Sequence, residues 1–151
     1  MASVALTGND TTIINETVLS DLADGDCVNL EIPNNIVDVK VGKNGNAIYA
    51  YNATGLQINV TIRLVAGSSD DKTLQSEMAS YKNDPASYTL LAGEFIKRVG
   101  DGSGNTTSIV YLLKGGIIQK VVPTKENVGG DTEQAVSVYT LVFTNSSRTL
   151  S

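Results

Sequence analysis

The residues best placed to do chemistry fall in three short segments. Gly100 to Thr107 reads GDGSGNTT, with three glycines and several hydrogen-bonding side chains in eight positions. That composition suggests a phosphate cradle or a calcium loop. A phosphate cradle needs a lysine and a serine or threonine directly behind its glycines, at the start of a helix, so that ammonium and backbone amides converge on the anion. No such pair follows Gly104, and no helical pattern opens there. A calcium loop spaces its ligands as Asp101, Ser103 and Asn105 are spaced, but its twelfth position supplies a bidentate glutamate. That position is Leu112. The second segment, Asp70-Asp71, has the look of a metal pair. It also falls in the first turn of an expected helix, where carboxylates offset the positive end of the helix dipole. The third is Cys27, the one cysteine, which has no intrachain disulfide partner and reads as a small residue in or beside a strand.

The missing residues narrow the chemistry further. The chain has no histidine and no tryptophan. Without histidine there is no Ser-His-Asp or Cys-His nucleophile system and no imidazole ligand. One cysteine cannot build a zinc knuckle or an iron–sulfur cluster. No catalytic residue, cofactor or metal is therefore expected, and the chain reads as a non-enzyme. Eleven basic against sixteen acidic residues give a net charge of −5. The cations are scattered singly apart from Lys97-Arg98, so no basic patch is expected to grip phosphates. Asn-x-Ser/Thr triplets at Asn15, Asn52, Asn59 and Asn145 read as products of composition, because Met1 to Asp10 shows no secretory pattern. No apolar run approaches the roughly 20 residues of a spanning helix, so no membrane contact is expected.

The elements that must position these residues are mostly strands. Val28, Leu30 and Ile32 alternate with Asn29 and Glu31 until Pro33 breaks the run. Ile36 to Tyr51 reads as a hairpin whose Asn44-Gly45 predicts a two-residue type I′ turn. That turn sets Val41 opposite Ile48 and Val39 opposite Ala50 on one face, and Lys40 opposite Tyr49 and Asp38 opposite Tyr51 on the other. Leu56, Ile58, Val60, Ile62 and Leu64 alternate with Gln57, Asn59, Thr61 and Arg63, which predicts a strand with one face in a core and one face polar. A helix is expected from Ser69 to Asn83, capped by Ser68 or Ser69, with Leu74, Met78 and Tyr81 on its apolar stripe. Strands resume over Tyr88 to Val99. A pair, Thr107 to Leu113 and Ile117 to Val122, is expected across Lys114-Gly115-Gly116, and a last strand over Glu133 to Thr144. The fold class is α+β, a mainly antiparallel β-sandwich or barrel with one helix packed at its edge, in a single domain spanning residues 1–151. Long, lightly charged strands and only three prolines leave the sheet edges poorly protected. The residues alone leave two readings open: loops cover those edges, or copies of the chain pair through them.

The stretch Asp21 to Asp71 carries a pattern at Asp24, Gly25 and Asp26; Pro33; Gly42 to Asn46; Tyr51, Asn52, Thr54 and Gly55; Arg63; Gly67 and Ser68; and Asp70 and Asp71. In these positions it resembles the tail tube proteins of contractile-tailed bacteriophages. Glu94 to Thr144 is similar to the strand-rich second half of that family more loosely. The resemblance implies β-sandwich subunits in hexameric rings, stacked into a hollow tube within the virion. A tail sheath protein would surround the tube, baseplate and tail terminator proteins would bound it, and the tape measure protein and then DNA would pass through without tight binding. Related tubes occur in contractile bacteriocins and type VI secretion. Within that frame the polar hairpin tip, Lys43, Asn44, Gly45 and Asn46, is expected to contact the next ring. Gln57, Asn59, Thr61 and Arg63 are the candidate lumen wall, with a bore that is polar and not net basic. The alternative is that this face meets the sheath or a neighbouring subunit. A second function class, a monomeric carbohydrate-type binding sandwich, would present several aromatic rings to a sugar. Two phenylalanines, six tyrosines and no tryptophan fit that poorly.

Overall fold

The computed structural model describes residues 3–23, 27–122, 129 and 135–150. Its strands are β1 (Ala5–Leu6), β2 (Thr11–Ile14), β3 (Thr17–Val18), β4 (Val28–Glu31), β5 (Val37–Val41), β6 (Ala47–Tyr51), β7 (Ile58–Val65), β8 (Leu91–Gly100), β9 (Thr106–Val122) and β10 (Val136–Leu150). One helix, α1, spans Ser69–Asn83. The main sheet runs β3-β2-β8-β9-β10-β7-β4, with β1 also on β8, and every pairing in it is antiparallel. The expected α+β class, mainly antiparallel sheet with one helix, is what the chain adopts.

Two long strands make the sandwich. The expected pair across Lys114-Gly115-Gly116 is instead one 17-residue strand, β9, that bends and continues. Gly115 takes φ +65°, but Gly116 is paired with Leu91 on one side and Phe143 on the other, so no chain reversal occurs. The glycines are there for Phe143 and Thr144. A Cβ on Gly116 would run into the Phe143 ring, and one on Gly115 into the Thr144 hydroxyl. Up to Gly116, β9 pairs with β8; from Ile117 to Val122 that flank meets no strand among the described residues. β10 behaves the same way. Val136 to Phe143 pair with β7, and Asn145 to Leu150 continue along β9 alone. The last strand thus runs six residues past Thr144, while the expected Glu133-Gln134 start lies outside the described residues.

Both halves of the bent sheet send side chains into one core. Ile58, Val60, Ile62 and Leu64 of β7 and Tyr139, Leu141 and Phe143 of β10 meet Ile14, Leu91 and Leu113 from the other half. The alternation read in β7 is realised from Ile58 onward, while Leu56 closes a short 3₁₀ turn, Ala53–Leu56. Each of the four β7 core side chains stabilises the fold by roughly 1.5–3 kcal/mol relative to exposure. The helix contributes Leu74, fully buried, with Met78 packed beside the core, while Tyr81 stays at the surface.

The hairpin register differs from expectation by one residue. The pairs are Val37–Tyr51, Asp38–Ala50, Val39–Tyr49, Lys40–Ile48 and Val41–Ala47. Asn44 does not take positive φ, so the type I′ turn is absent. The Gly45 N–H donates to Gly42 O at 3.1 Å and the Gly42 N–H to Asn46 O at 2.7 Å, with Gly45 at φ +84°. This is a three-residue loop ending in a left-handed glycine, the other common hairpin solution. A two-residue turn with positive φ at both central positions does occur, at Asn15-Glu16 between β2 and β3.

Candidate assembly surfaces

The polar clusters that looked like ligand sites are satisfied locally. Asp101 Oδ1 accepts from the Ser103 and Asn105 N–H groups, and Oδ2 from Asn105 Nδ2. The Ser103 backbone bond, then the Asn105 side chain, holds the Asp101 carboxyl below the usual carboxylate range. The loop therefore bonds to itself and offers no cradle. Asp70 and Asp71 do more than charge the first helical turn. Asp70, buried, accepts from the Ser20 and Asp21 N–H groups at 2.7 and 2.8 Å. Asp71 accepts from the Gly67 N–H, the Ser137 hydroxyl and, at 2.5 Å, the Tyr139 hydroxyl. Burial, then the Asp71 contact, pushes the Tyr139 phenol up. The two carboxylates thus fasten α1 to the N-terminal segment and to β10. A groove of about 540 Å³ opens at this clamp, lined by Asp71, Ser137 and Tyr139 together with Lys72, Gln75 and Ser76, and the two clamp hydroxyls there are already committed to the Asp71 carboxylate. Among the described residues no group of three His, Cys, Asp or Glu could hold a metal.

What stands out instead, among the described residues, is surface that a lone copy leaves uncovered. The β5–β6 hairpin forms its own two-stranded sheet, and all ten of its strand residues are exposed. Val37, Val39, Val41, Ala47, Tyr49 and Tyr51 share one face. Tyr49 is 72% exposed, Tyr51 70% and Val41 68%. Lys43, Asn44, Gly45 and Asn46 sit at the tip, all exposed, as expected of a polar turn. A free two-stranded hairpin is marginally stable in water. Its root is held by the Asn52 N–H on Ile36 O at 2.8 Å and by Gly55, where a Cβ would lie 2.5 Å from Ile36 Cα.

The second uncovered feature is a pair of open sheet edges. Among the described residues, β4 ends the main sheet on one side, and Ile117 to Val122 of β9 expose a flank on the other. Between them lie β7 and the first half of β10. On the side of this four-strand layer away from the core, Asn59, Thr61 and Arg63 stand beside Asn29, Glu31, Val138, Thr140, Val142 and Lys120. Gln57 precedes the strand and donates from Nε2 to Asn59 Oδ1 at 3.3 Å. The structure thus brings the four candidate wall residues onto one surface. The face is polar, but among the described residues it carries one carboxylate, Glu31, and two cations, Arg63 and Lys120. Poorly protected edges are legible in the sequence, but which strands form them is not, because Lys114-Gly115-Gly116 has the composition of a turn and β9 bends there instead. The valine alternation opposite Tyr49 and Tyr51 was the available signal for the hairpin's apolar face.

No protein-family model matches the sequence, and no curated protein matches it. Solved structures with the same fold do exist. A chain in the cryo-EM structure of the anti-feeding prophage cap, the AFP tube terminating cap, superposes with a TM-score of 0.60 at 10% identity, covering 97% of this chain and 91% of that one. A chain of an extracellular contractile injection system, the PVC sheath/tube terminator in its extended state, gives 0.55 at 9% identity, covering 93% and 92%. At such identities the likeness is one of fold.

Proposed function

We propose that the chain is a structural subunit of a contractile tail, forming hexameric rings that stack into the inner tube of the virion. The observation that carries this is the uncovered surface: two open edges on one layer and a projecting apolar hairpin, which the described residues of a lone chain leave to water. Monomers blunt such features. Ring closure would cover the edges, and contact between rings would cover the hairpin. The fold shared with chains of tube-terminating assemblies supports the setting. Tape measure protein and DNA would pass inside, the sheath would lie outside, and Gln57, Asn59, Thr61 and Arg63 would face the lumen. The same neighbours favour a second reading, a terminating ring that seats on a finished tube. Negative-stain microscopy of the purified protein separates these. Stacked rings of six support a tube subunit, single rings that do not stack support a terminator, and monomers at high concentration, with a baseplate present as seed, count against both.

A further inference from the structure

Resting on the reading as a ring subunit, we propose that β4 of one copy pairs antiparallel with Ile117 to Val122 of the next, with Leu30 opposite Val121 and Glu31 opposite Lys120. Three observations converge on that register.

The first is where the free backbone groups point. The Arg63 N–H donates to Cys27 O at 2.8 Å. In an antiparallel ladder successive residues turn their main-chain groups to opposite flanks. Cys27, Asn29 and Glu31 therefore face β7, and Val28 and Leu30 face outward. The Ala66 N–H donates to Ala135 O at 2.8 Å, so Ser137 and Tyr139 face β7 while Val138 and Thr140 face β9. Their partners there are Val122 and Lys120. Val121 between them faces outward, ready to exchange two hydrogen bonds with Leu30.

The second is an unfinished core. Val28 and Leu30 on β4 and Val121 on β9 are only partly buried, each packed against the core at opposite ends of the same layer. Setting Leu30 against Val121 continues the apolar layer across the seam. The third is charge. On the reverse face β4 carries Glu31 and the β9 flank carries the exposed Lys120. The register that joins Leu30 to Val121 also brings this carboxylate and ammonium opposite each other. A shift by one residue would set Leu30 against Lys120 and send the two core-side rows to opposite faces. Pairing β4 with β4 about Leu30 would set Glu31 against Asn29, and β9 with β9 about Val121 would set Lys120 against Val122, so neither self-pairing places a carboxylate opposite an ammonium. Strand direction agrees as well. The layer has four alternating strands, so the next copy's β4 runs antiparallel to β9. The joint is head-to-tail and repeats until the ring closes.

Cysteine cross-linking tests the seam. In a Cys27→Ser background, Leu30→Cys and Val121→Cys are made singly and together. A hydrogen-bonded antiparallel pair holds its Cα atoms about 5.5 Å apart, within disulfide range. Each single variant, oxidised alone, is expected to stay uncross-linked. An equal mixture is expected to give covalent dimers, and the double variant a ladder that ends at the ring's subunit number. Self-cross-linking of either single variant would overturn the head-to-tail seam. Rings visible by microscopy without cross-links would overturn the edge assignment and leave the ring reading standing; neither rings nor cross-links would overturn both. Charge reversal gives a second readout. Glu31→Lys and Lys120→Glu are each expected to weaken association by about tenfold or more, and the double reversal to bring it back within about threefold of the parent. Single reversals that associate like the parent would refute the register.

Discussion

Tyr139 and Glu16 show how single residues set the stability of this chain. Tyr139 is 1% exposed, and its hydroxyl donates to Asp71, tying the first turn of α1 to β10. Tyr139→Phe keeps the ring and removes the donor to a carboxylate, which should cost about 1.5–3 kcal/mol; urea midpoints of parent and variant measure it. The raised phenol also gives the fold an alkaline limit. A group whose folded pKa lies above its unfolded value stabilises fully below the unfolded value, about 10 for tyrosine, and that contribution is lost as pH rises through the folded one. Tyr88 adds to the same window, pushed up to about 12 by burial and then by Glu77. Stability is therefore expected to hold to about pH 10 and fall above it, with a shallower fall in Tyr139→Phe. A slope of equal steepness in the variant would exclude Tyr139 as the source. Glu16 works in the opposite sense. It sits at φ +68°, where a side chain costs roughly 1–2 kcal/mol. Glu16→Gly should raise stability by about 0.5–1 kcal/mol after glycine's own entropic cost, read as a higher melting temperature.

Among the elements, the hairpin and β9 respond oppositely to change. The hairpin shares no ladder with the main sheet, so replacing Val37–Tyr51 by a short linker should leave the melting temperature nearly unaltered and abolish stacking of rings. Loss of the fold would show that the hairpin belongs to the core. Gly116→Val, by contrast, drives a branched side chain into the Phe143 ring and should destabilise by about 2–4 kcal/mol, seen as a lower denaturant midpoint. The sequence was legible where one rule acted alone. The helix bounds, a cap at one of two serines and the β7 alternation followed from local pattern; the helix is found as read, the cap is Ser68, and the alternation holds from Ile58 onward. Legibility failed where a distant side chain decided a local question. Gly115-Gly116 has the composition of a turn, yet its glycines clear space for Phe143 and Thr144, residues more than 25 positions away. Asn44-Gly45 fits two loop geometries, and the three-residue one shifted every cross-strand pair by a place. The polar row of β7 could be read, but its neighbours Glu31, Thr140 and Lys120 depend on pairings that no short-range pattern reveals.

At the scale of the whole molecule, the exposed face of Val39, Val41, Tyr49 and Tyr51 predicts association. Val39→Asp with Tyr49→Asp should keep the monomer fold and stop higher assembly, which sedimentation velocity would report as loss of the fast boundary. Assemblies that persist unchanged would remove this face from the contact. The bend at Gly115 has a mechanical consequence. In many sandwiches the two layers are held together by side-chain packing and by the loops between strands, so a shear that slides one layer over the other peels weak contacts. Here β9 and β10 pass through the bend as continuous chains, hydrogen-bonded to each other on both sides of it. A tensile load applied at one layer therefore reaches the other along the covalent backbone. The yield point of such a subunit should be set by shearing a whole ladder at once, so that it stays stiff when pulled.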